Sequence, residues 1–212
     1  MKAALSLARR FFDGRTPSSI LAQPIPGPLE HFRAVIDAKP PKAVLEVGTA
    51  RAVPDTHSHH MHLFPGIDRT QYTMVDIKGG QDVDVVADIH SLPGDWTDRY
   101  DAVVASAVFE HLARPWIAAK EVARVLAPGG VCYAATHQTF PLHGYPQDFW
   151  RFSTEALALI FTDAGLEVID VAYKHRTKIT LPADLMAPQQ VDQWNADFPS
   201  WAIVHVVARK HG

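Results

Sequence analysis

The sequence predicts an α/β domain built on a mostly parallel β-sheet. Short hydrophobic runs alternate with amphipathic segments through residues 41–212, the pattern of folds in which strands and helices alternate. A long polar connection separates the last two runs, which favours an antiparallel pair of strands at one sheet edge. A length of 212 residues suits one full core. We therefore expect an N-terminal helical extension and linker over residues 1–40 and one domain over residues 41–212.

The individual elements are predicted from periodicity and from the residues that begin and end them. Residues 2–13 can form a small amphipathic helix that ends at Asp13-Gly14, and the proline-rich residues 14–28 predict an extended linker. Ser153 is the expected N-cap of the last predicted helix, and Gly165 its terminator. The predicted strands lie near residues 43–47, 71–75, 83–87, 101–105, 130–135, 166–172 and 202–208, and the predicted helices over residues 29–38, 116–126 and 154–164.

Three carboxylates, those of Glu46, Asp76 and Asp88, lie at or near the ends of three predicted strands. In open α/β sheets the ligand binds outside the carboxyl ends of the strands, and an acid after the second strand suits the two hydroxyls of a ribose. A side chain after the third strand can accept a hydrogen bond from an adenine amine while the backbone N–H of Ile89 meets a ring nitrogen. This layout predicts a site for an adenosine cofactor.

Five segments in order also carry a family resemblance. They are Val44-Leu45-Glu46-Val47-Gly48, Met74-Val75-Asp76-Ile77, and residues 85–93, 100–111 and 121–130. Together they resemble the class I S-adenosylmethionine-dependent methyltransferases of the type 11, small-molecule kind. The resemblance implies a Rossmann-like methyltransferase fold, with a central, mostly parallel seven-stranded sheet, an antiparallel last strand and helices on both faces. It also implies S-adenosyl-L-methionine as cofactor, S-adenosyl-L-homocysteine as product, and methyl transfer to oxygen or nitrogen of a small-molecule acceptor.

The resemblance also implies roles for single residues. Asp76, next to Ile77, would take the ribose hydroxyls; Asp88 and Ile89 would take the adenine edge. Ser106 or Ala107 would lie beside the sulfonium, and Glu46 would order the first loop. The alternative for each carboxylate is an ordinary cap of a helix or loop.

The first loop departs from the family pattern, because Gly48 is followed by Thr49-Ala50-Arg51-Ala52 with no second glycine. Arg51, or a backbone nest at residues 48–50, could hold the carboxylate of the cofactor's methionine part, although a surface arginine is the alternative. Thr49 belongs to the same candidate set. The 30 positions from Glu46 to Asp76 exceed the roughly 20 of a dinucleotide fingerprint, which argues against NAD.

The acceptor side is predicted from the loops after the fourth and fifth strands. His111 can act as a general base, or it can simply hydrogen-bond to backbone. The aromatic-rich residues 136–152 contain His143, Asp148 and Arg151, which complete our set of candidate catalytic residues; in the alternative, Asp148 pairs with Arg151 in a structural lid. The long connection over residues 173–201 is either a cover or an association surface, so a homodimer is possible.

Four histidines, His57, His59, His60 and His62, cluster in the first loop. Because the chain has a single cysteine, Cys132, and little carboxylate nearby, we expect a polar loop there and no bound metal. A metal-dependent hydrolase is the weakest alternative function. A catalytically silent cofactor-binding or protein-interaction module of the same fold is a stronger one, because the first loop has lost a glycine.

Charge and hydropathy limit the partners. The net charge of -3, without a long Lys/Arg cluster, gives no footprint for nucleic acid. No run of the sequence is long and apolar enough for a membrane span, and the N-terminus lacks the order of a signal peptide. We expect a cytoplasmic protein.

Overall fold

The computed structural model describes residues 27–51, 59–144 and 147–212. The helix predicted over residues 2–13, and nearly all of the predicted linker, lie outside these residues. The described helices are α1 (Pro28–Ala38), α2 (Pro115–Val125), α3 (Thr154–Asp163) and α4 (Pro188–Asp197). The described strands are β1 (Val44–Val47), β2 (Tyr72–Asp76), β3 (Val85–Val86), β4 (Tyr100–Ser106), β5 (Leu126–His137), β6 (Leu166–Thr177) and β7 (Ser200–Lys210).

The seven strands form one sheet in the order β3-β2-β1-β4-β5-β7-β6. Strands β1 to β5 run parallel to one another, whereas β7 runs antiparallel to both β5 and β6. Val47 pairs with Val75 on one side and with Ala105 on the other, so the carboxyl ends of β1, β2 and β4 lie level. The predicted sheet, mostly parallel with an antiparallel last strand, is confirmed.

Helices cover both faces of this sheet. On one face, α2 and α3 pack their buried side chains, such as Val122 and Phe161, against the apolar side of the central strands. On the other face, α1 buries Phe32 and Ile36, and the Phe32 ring lies 5.4 Å from that of Tyr133 between centroids. Residues 28–38, which the sequence analysis places in the extension, therefore pack as a layer of the domain.

The ends of α3 follow its predicted caps. The Ser153 side chain accepts a hydrogen bond from the backbone N–H of Ala156, and Gly165 follows the helix at a φ of 86°. A left-handed residue of this kind, which glycine adopts without strain, commonly ends a helix.

The structure departs from the sequence prediction between β6 and β7. Helix α4 occupies part of the connection predicted as a long loop; it buries few side chains, Val191 and Asn195 among them, so it has no clear apolar stripe. The Asn195 amide exchanges two hydrogen bonds with the backbone of Ile179, which holds the helix to the end of β6. Both flanking strands are longer than predicted because they continue to pair with each other as far as Thr177 and Ser200. Among the described residues, no helix has the length and apolar character needed to cross a bilayer.

Candidate active site

Asp76 ends β2 and faces the loop after β1. Its carboxylate accepts hydrogen bonds from the backbone N–H groups of Ala50, at 3.0 Å, and Lys78, at 2.9 Å. An ionised carboxylate offers about four lone-pair positions, so these two bonds leave acceptor capacity on both oxygens. Asp76 thus fits the two hydroxyls of a ribose.

Glu46 is directed into the protein and is only 3% exposed. Its oxygens accept hydrogen bonds from the backbone N–H of His60 at 2.9 Å, from the Tyr72 hydroxyl, and from the His60 ring at 2.7 Å when Nδ1 carries the proton. Burial, followed by the nearby Glu46 charge, raises the pKa of Tyr72 well above its usual value, so the hydroxyl keeps its proton. These contacts fix the loop after β1 from below.

Gly48 is the point where the loop after β1 meets the loop after β4. Its φ is 79°, and a Cβ atom built there would lie 2.4 Å from Cγ2 of Val108. Both the left-handed backbone and the close approach require glycine. Beside it, Ala107 also has a positive φ, 54°, while its N–H donates to the carbonyl of Ala135 on β5.

The backbone nest expected over residues 48–50 does not face a ligand. The N–H groups of Gly48 and Thr49 both donate to the carbonyl of Val75, at 2.8 and 3.5 Å, and the N–H of Ala50 donates to Asp76. All three amides are therefore directed at β2, and this alternative is corrected. Arg51 is the other candidate for an anion; its Nε donates to Asp82 at 2.5 Å, tying the first loop to the connection between β2 and β3.

Asp88 lies just beyond β3 with its side chain 49% exposed. It accepts hydrogen bonds from the backbone N–H of His90 at 2.9 Å and, with a proton on Nδ1, from the His90 ring at 2.7 Å. Burial acts to raise the pKa of Asp88, but the hydrogen bonds from His90 outweigh it and lower the pKa, so the group is an ionised acceptor. Its neighbour Ile89 is buried, Ile77 is exposed, and Ser106 at the end of β4 is partly buried.

The most unusual group of side chains lies where β4 and β5 end. Glu110, in the short 3-10 helix Phe109–His111, has a fully buried side chain, and its Oε2 accepts a hydrogen bond of 2.7 Å from Thr136. His137 Nε2 lies 3.1 Å from the other oxygen, Oε1, and His111 Nε2 lies 3.8 Å from it. His143 stands over this pair, with ring centroids 4.9 Å from His111 and 5.3 Å from His137. We refer to Glu110, His111, His137 and His143 as the Glu110 cluster.

Two buried atoms of this cluster have no aligned hydrogen-bond partner among the described residues: Oε1 of Glu110 and Nδ1 of His137. The 3.1 Å contact between the two side chains satisfies the distance of an ion pair but not the angle of a hydrogen bond. Burial acts to raise the pKa of Glu110, but the adjacent His137 imidazole and Thr136 hydroxyl offset it and hold the pKa below its usual value. Glu110 is therefore a buried negative charge.

Asp148 and Arg151 pair with each other. Arg151 donates to both oxygens of Asp148, at 2.5 and 2.7 Å, and to the backbone carbonyls of Phe140, Pro141 and Trp150. Hydrogen bonds from Arg151 and from the His143 backbone lower the pKa of Asp148 far below its usual value. These contacts occupy the donors of Arg151, which favours the structural-lid alternative for the pair over acceptor binding.

The segment that contains Asp148 and Arg151 also contacts the Glu110 cluster. The carbonyl of Glu110 accepts from the N–H groups of Phe149, at 2.8 Å, and Trp150, at 3.2 Å, and the Trp150 indole donates to Leu112. Phe140 stacks on the His137 ring, with centroids 4.1 Å apart and planes within 12°. The candidates His111 and His143 are thus brought together under an aromatic cover.

The histidines of the first loop form no comparable group in the described part of the chain. His57 lies outside the described residues, His60 is bound to Glu46, and His62 is exposed. The sequence analysis missed His137, and treated Glu110 only as the neighbour of His111. Their signal was positional: both lie at the carboxyl ends of adjacent strands, the edge that carries the other candidates.

Comparison with known proteins fits this arrangement. Residues 45–134 match the model of the type 11 methyltransferase family, described as a methyltransferase domain. The segment spans β1 through most of β5 and so contains Glu46, Asp76, Asp88 and Glu110. Over this segment the chain is similar to the class I S-adenosylmethionine-dependent methyltransferases, whose cofactor is S-adenosyl-L-methionine and whose product is S-adenosyl-L-homocysteine. No curated protein sequence matches it.

Solved structures share the fold at low sequence identity. A chain from the complex of the Haloferax volcanii Trm112 methyltransferase activator is 24% identical over 81% of this chain and 82% of its own, with a TM-score of 0.52. The Burkholderia thailandensis 1,6-didemethyltoxoflavin-N1-methyltransferase, solved with 1,6-didemethyltoxoflavin and S-adenosylhomocysteine, is 15% identical over 98% and 86%, with a TM-score of 0.56. The CurJ carbon methyltransferase is 15% identical over 87% of this chain and 53% of its own, with a TM-score of 0.55. At these identities the likeness is one of fold.

Proposed function

We propose that this methyltransferase acts on an oxygen or nitrogen atom of a small molecule whose reacting group binds beside the Glu110 cluster. The observation that carries the proposal is the position of that cluster. Val108, which touches the glycine of the cofactor loop, lies two residues before Glu110, so the cluster adjoins the loop that the cofactor would occupy.

On the cofactor side, Asp76 would hold the ribose hydroxyls and Asp88 the adenine amine. Gly48 would let the loop after β1 pack against Val108 next to the cofactor, since even a methyl group at this position collides with that side chain. When bound, the cofactor supplies an electrophilic methyl on a sulfonium. The chain positions that methyl relative to the acceptor. Such positioning lowers the activation free energy of a displacement by a large amount.

A hydroxyl or amine acceptor loses a proton when it is methylated, and the cluster offers a group to take it. His111 Nδ1 lies 2.6 Å from the carbonyl of Gln147, so Nδ1 is the donor and the lone pair is on Nε2. The charge of Glu110, 3.8 Å from that Nε2, stabilises the imidazolium that forms. A general base of this kind contributes roughly 10²- to 10⁴-fold to a rate.

The cover over the cluster supports a small acceptor. Phe140 and Trp150 border the cluster, and the segment that carries Trp150 bonds to the backbone of Glu110, so aromatic rings and a few polar groups surround it. Such surroundings suit a small molecule and keep water from the methyl. The Burkholderia thailandensis neighbour, a 1,6-didemethyltoxoflavin-N1-methyltransferase, is an example of this fold acting on a small-molecule acceptor.

Methyl transfer from isotope-labelled S-adenosylmethionine to a panel of small phenols, alcohols, amines and carbon acids tests the proposal. We expect labelled product from a hydroxyl or amine acceptor, with the labelled atom identified by NMR of the transferred methyl. The variant His111→Gln should lower kcat by 10²-fold or more with little change in cofactor affinity. His62→Gln, an exposed histidine of the other loop, is the matched control. Turnover confined to the carbon acids would overturn the choice of acceptor atom.

A further inference from the structure

We propose that the Glu110 cluster is a zinc site, in which Glu110, His137 and His143 bind one divalent ion beside the position proposed for the acceptor. In the described part of the chain, one ligand atom from each of these three residues lies within 4.8 Å of the other two. One carboxylate and two imidazoles, without a thiolate, form a ligand set of the kind that catalytic zinc sites use.

The distance between the two buried ligands fits a shared ion. Atoms bound to one tetrahedral zinc at ~2.0–2.1 Å lie about 3.3 Å apart. His137 Nε2 and Glu110 Oε1 are 3.1 Å apart, yet they are not aligned as a hydrogen bond. Binding of both atoms to one ion would account for a short contact without hydrogen-bond alignment.

Burial gives a second, independent reason. Oε1 of Glu110 belongs to a side chain with no exposed surface, and it lacks an aligned donor among the described residues. A buried carboxylate oxygen without an aligned donor is incompletely satisfied, and such atoms are usually hydrogen-bonded or bound to a metal. A cation on Oε1 would satisfy that atom.

Around His143 the surroundings have the arrangement of an outer shell around a metal, whereas Nδ1 of His137 has no aligned acceptor among the described residues. Histidine ligands of metals usually donate their second ring N–H to a carbonyl or carboxylate. His143 Nδ1 lies 3.0 Å from the Pro141 carbonyl and 3.3 Å from Asp148, which Arg151 holds in turn. A proton on Nδ1 leaves Nε2 as the ligand atom, and His143, whose side chain is 32% exposed, has room to close on the ion.

Three protein ligands leave one position of a tetrahedral ion open. The use of that position by the acceptor rests on the proposed function. An acceptor hydroxyl bound at that position would be more acidic than in water. His111, the fourth member of the cluster, would take its proton; the freed oxygen lone pair would form the new bond to the methyl carbon, and the electrons of the carbon–sulfur bond would stay on sulfur.

Zinc titration of the full chain, tag-free and stripped with a chelator, tests the binding. We expect calorimetry to show one ion per chain with a submicromolar Kd, and cobalt in its place to give the visible absorption of a four-coordinate site. His143→Gln should weaken zinc binding at least 10-fold while leaving the melting temperature of the metal-free protein nearly unchanged. Glu110→Gln should weaken zinc binding as well, and because it also removes a buried charge and lowers stability, the partly exposed His143 decides the question.

Two controls separate this site from other histidines. His62→Gln removes a member of the first-loop group, and His31→Gln removes one that pairs with Asp170 far along the chain. Both should leave zinc affinity unchanged. No zinc binding by the wild type, or binding that survives His143→Gln and is lost in His62→Gln, would overturn the proposal. Methyl transfer to hydroxyl or amine acceptors by the zinc-free protein would overturn the part of zinc in the reaction and leave the proposed function standing. Zinc binding without any such transfer would overturn the proposed function and leave the metal site standing.

Discussion

The two halves of the candidate site satisfy their charges in different ways. On the cofactor side, Asp76 and Asp88 each accept a hydrogen bond from the backbone N–H two positions further along the chain, and Asp76 accepts a second one from Ala50 on the loop after β1. On the acceptor side, Glu110 depends on Thr136 and His137, which come from another strand. The cofactor half thus uses backbone amides that lie two residues after each carboxylate. The acceptor half forms only after β4 and β5 have paired.

The largest loss of stability is expected from a substitution in the acceptor half of the site. Glu110→Ala removes a buried charge and leaves its partners His137 and Thr136 without it, so we expect a loss of about 3–5 kcal/mol in the free energy of unfolding, measured by urea denaturation. The matched control is Glu167→Ala, an exposed glutamate on β6, which should change the free energy by less than about 0.5 kcal/mol. Equal losses in the two variants would show that the cluster is no different from the surface.

The next effect concerns the contact that joins the halves. Gly48→Ala forces a side chain into a left-handed residue and against Val108, so we expect a loss of about 3 kcal/mol in stability. Gly80→Ala is the control, because a Cβ atom there meets no heavy atom within 4 Å. Thermal and urea unfolding compare them. If Gly48→Ala is as stable as Gly80→Ala, the two loops do not meet as described.

A substitution at Asp76 should weaken binding in the cofactor half of the site. Asp76→Ala removes the proposed acceptor of the ribose hydroxyls, and hydrogen bonds to a charged group contribute about 1.5–3 kcal/mol, so S-adenosylhomocysteine should bind about 100-fold more weakly by calorimetry. The exposed Asp192→Ala on α4 should bind it as the wild type does. Unchanged affinity in Asp76→Ala would remove this residue from the cofactor site.

A buried histidine outside the site sharpens the comparison. His205 on β7 contacts the Tyr133 hydroxyl at 2.6 Å, and its pKa is lowered to about 4, first by burial and then by Lys174, with Glu30 opposing and His175 adding a little. It lacks the adjacent buried carboxylate that His137 has.

Because the unfolded chain takes up a proton near pH 6.5 and folded His205 does not until about pH 4, stability is complete above pH 6.5 and falls between those values. This histidine should cost about 2 kcal/mol between pH 7 and pH 5. Unfolding free energies of His205→Asn should show a flatter pH dependence than the wild type, while the exposed His62→Asn should not. An unchanged slope in His205→Asn would mean that His205 titrates alike in both states.

The same contrast explains what the sequence could predict. All seven strands and the helices α1, α2 and α3 follow from local periodicity and end signals such as Ser153 and Gly165. Helix α4 does not, because its contacts come from the Asn195 amide and not from an apolar stripe. The extra lengths of β6 and β7 come from their mutual pairing, which no local pattern encodes.

In the site, the strand-end position of Asp76 was readable because the hydrophobic run before it marks the end of β2. The nest at residues 48–50 was wrong because the pairing of the loop with β2 consumes its amides. His137 was missed because its partner Glu110 lies 27 positions away and becomes a neighbour only in the sheet. Contacts between strands are what a single sequence conceals.

The central claim is that the two halves face one pocket, and a crystal structure with S-adenosylhomocysteine bound tests it most directly. We expect the ribose hydroxyls within hydrogen-bond distance of Asp76 and the sulfur directed at the Glu110 cluster, with an imidazole of the cluster within about 4 Å of the position of the transferred methyl. A sulfur directed away from Glu110, or a ribose bound elsewhere than at Asp76, would contradict the account.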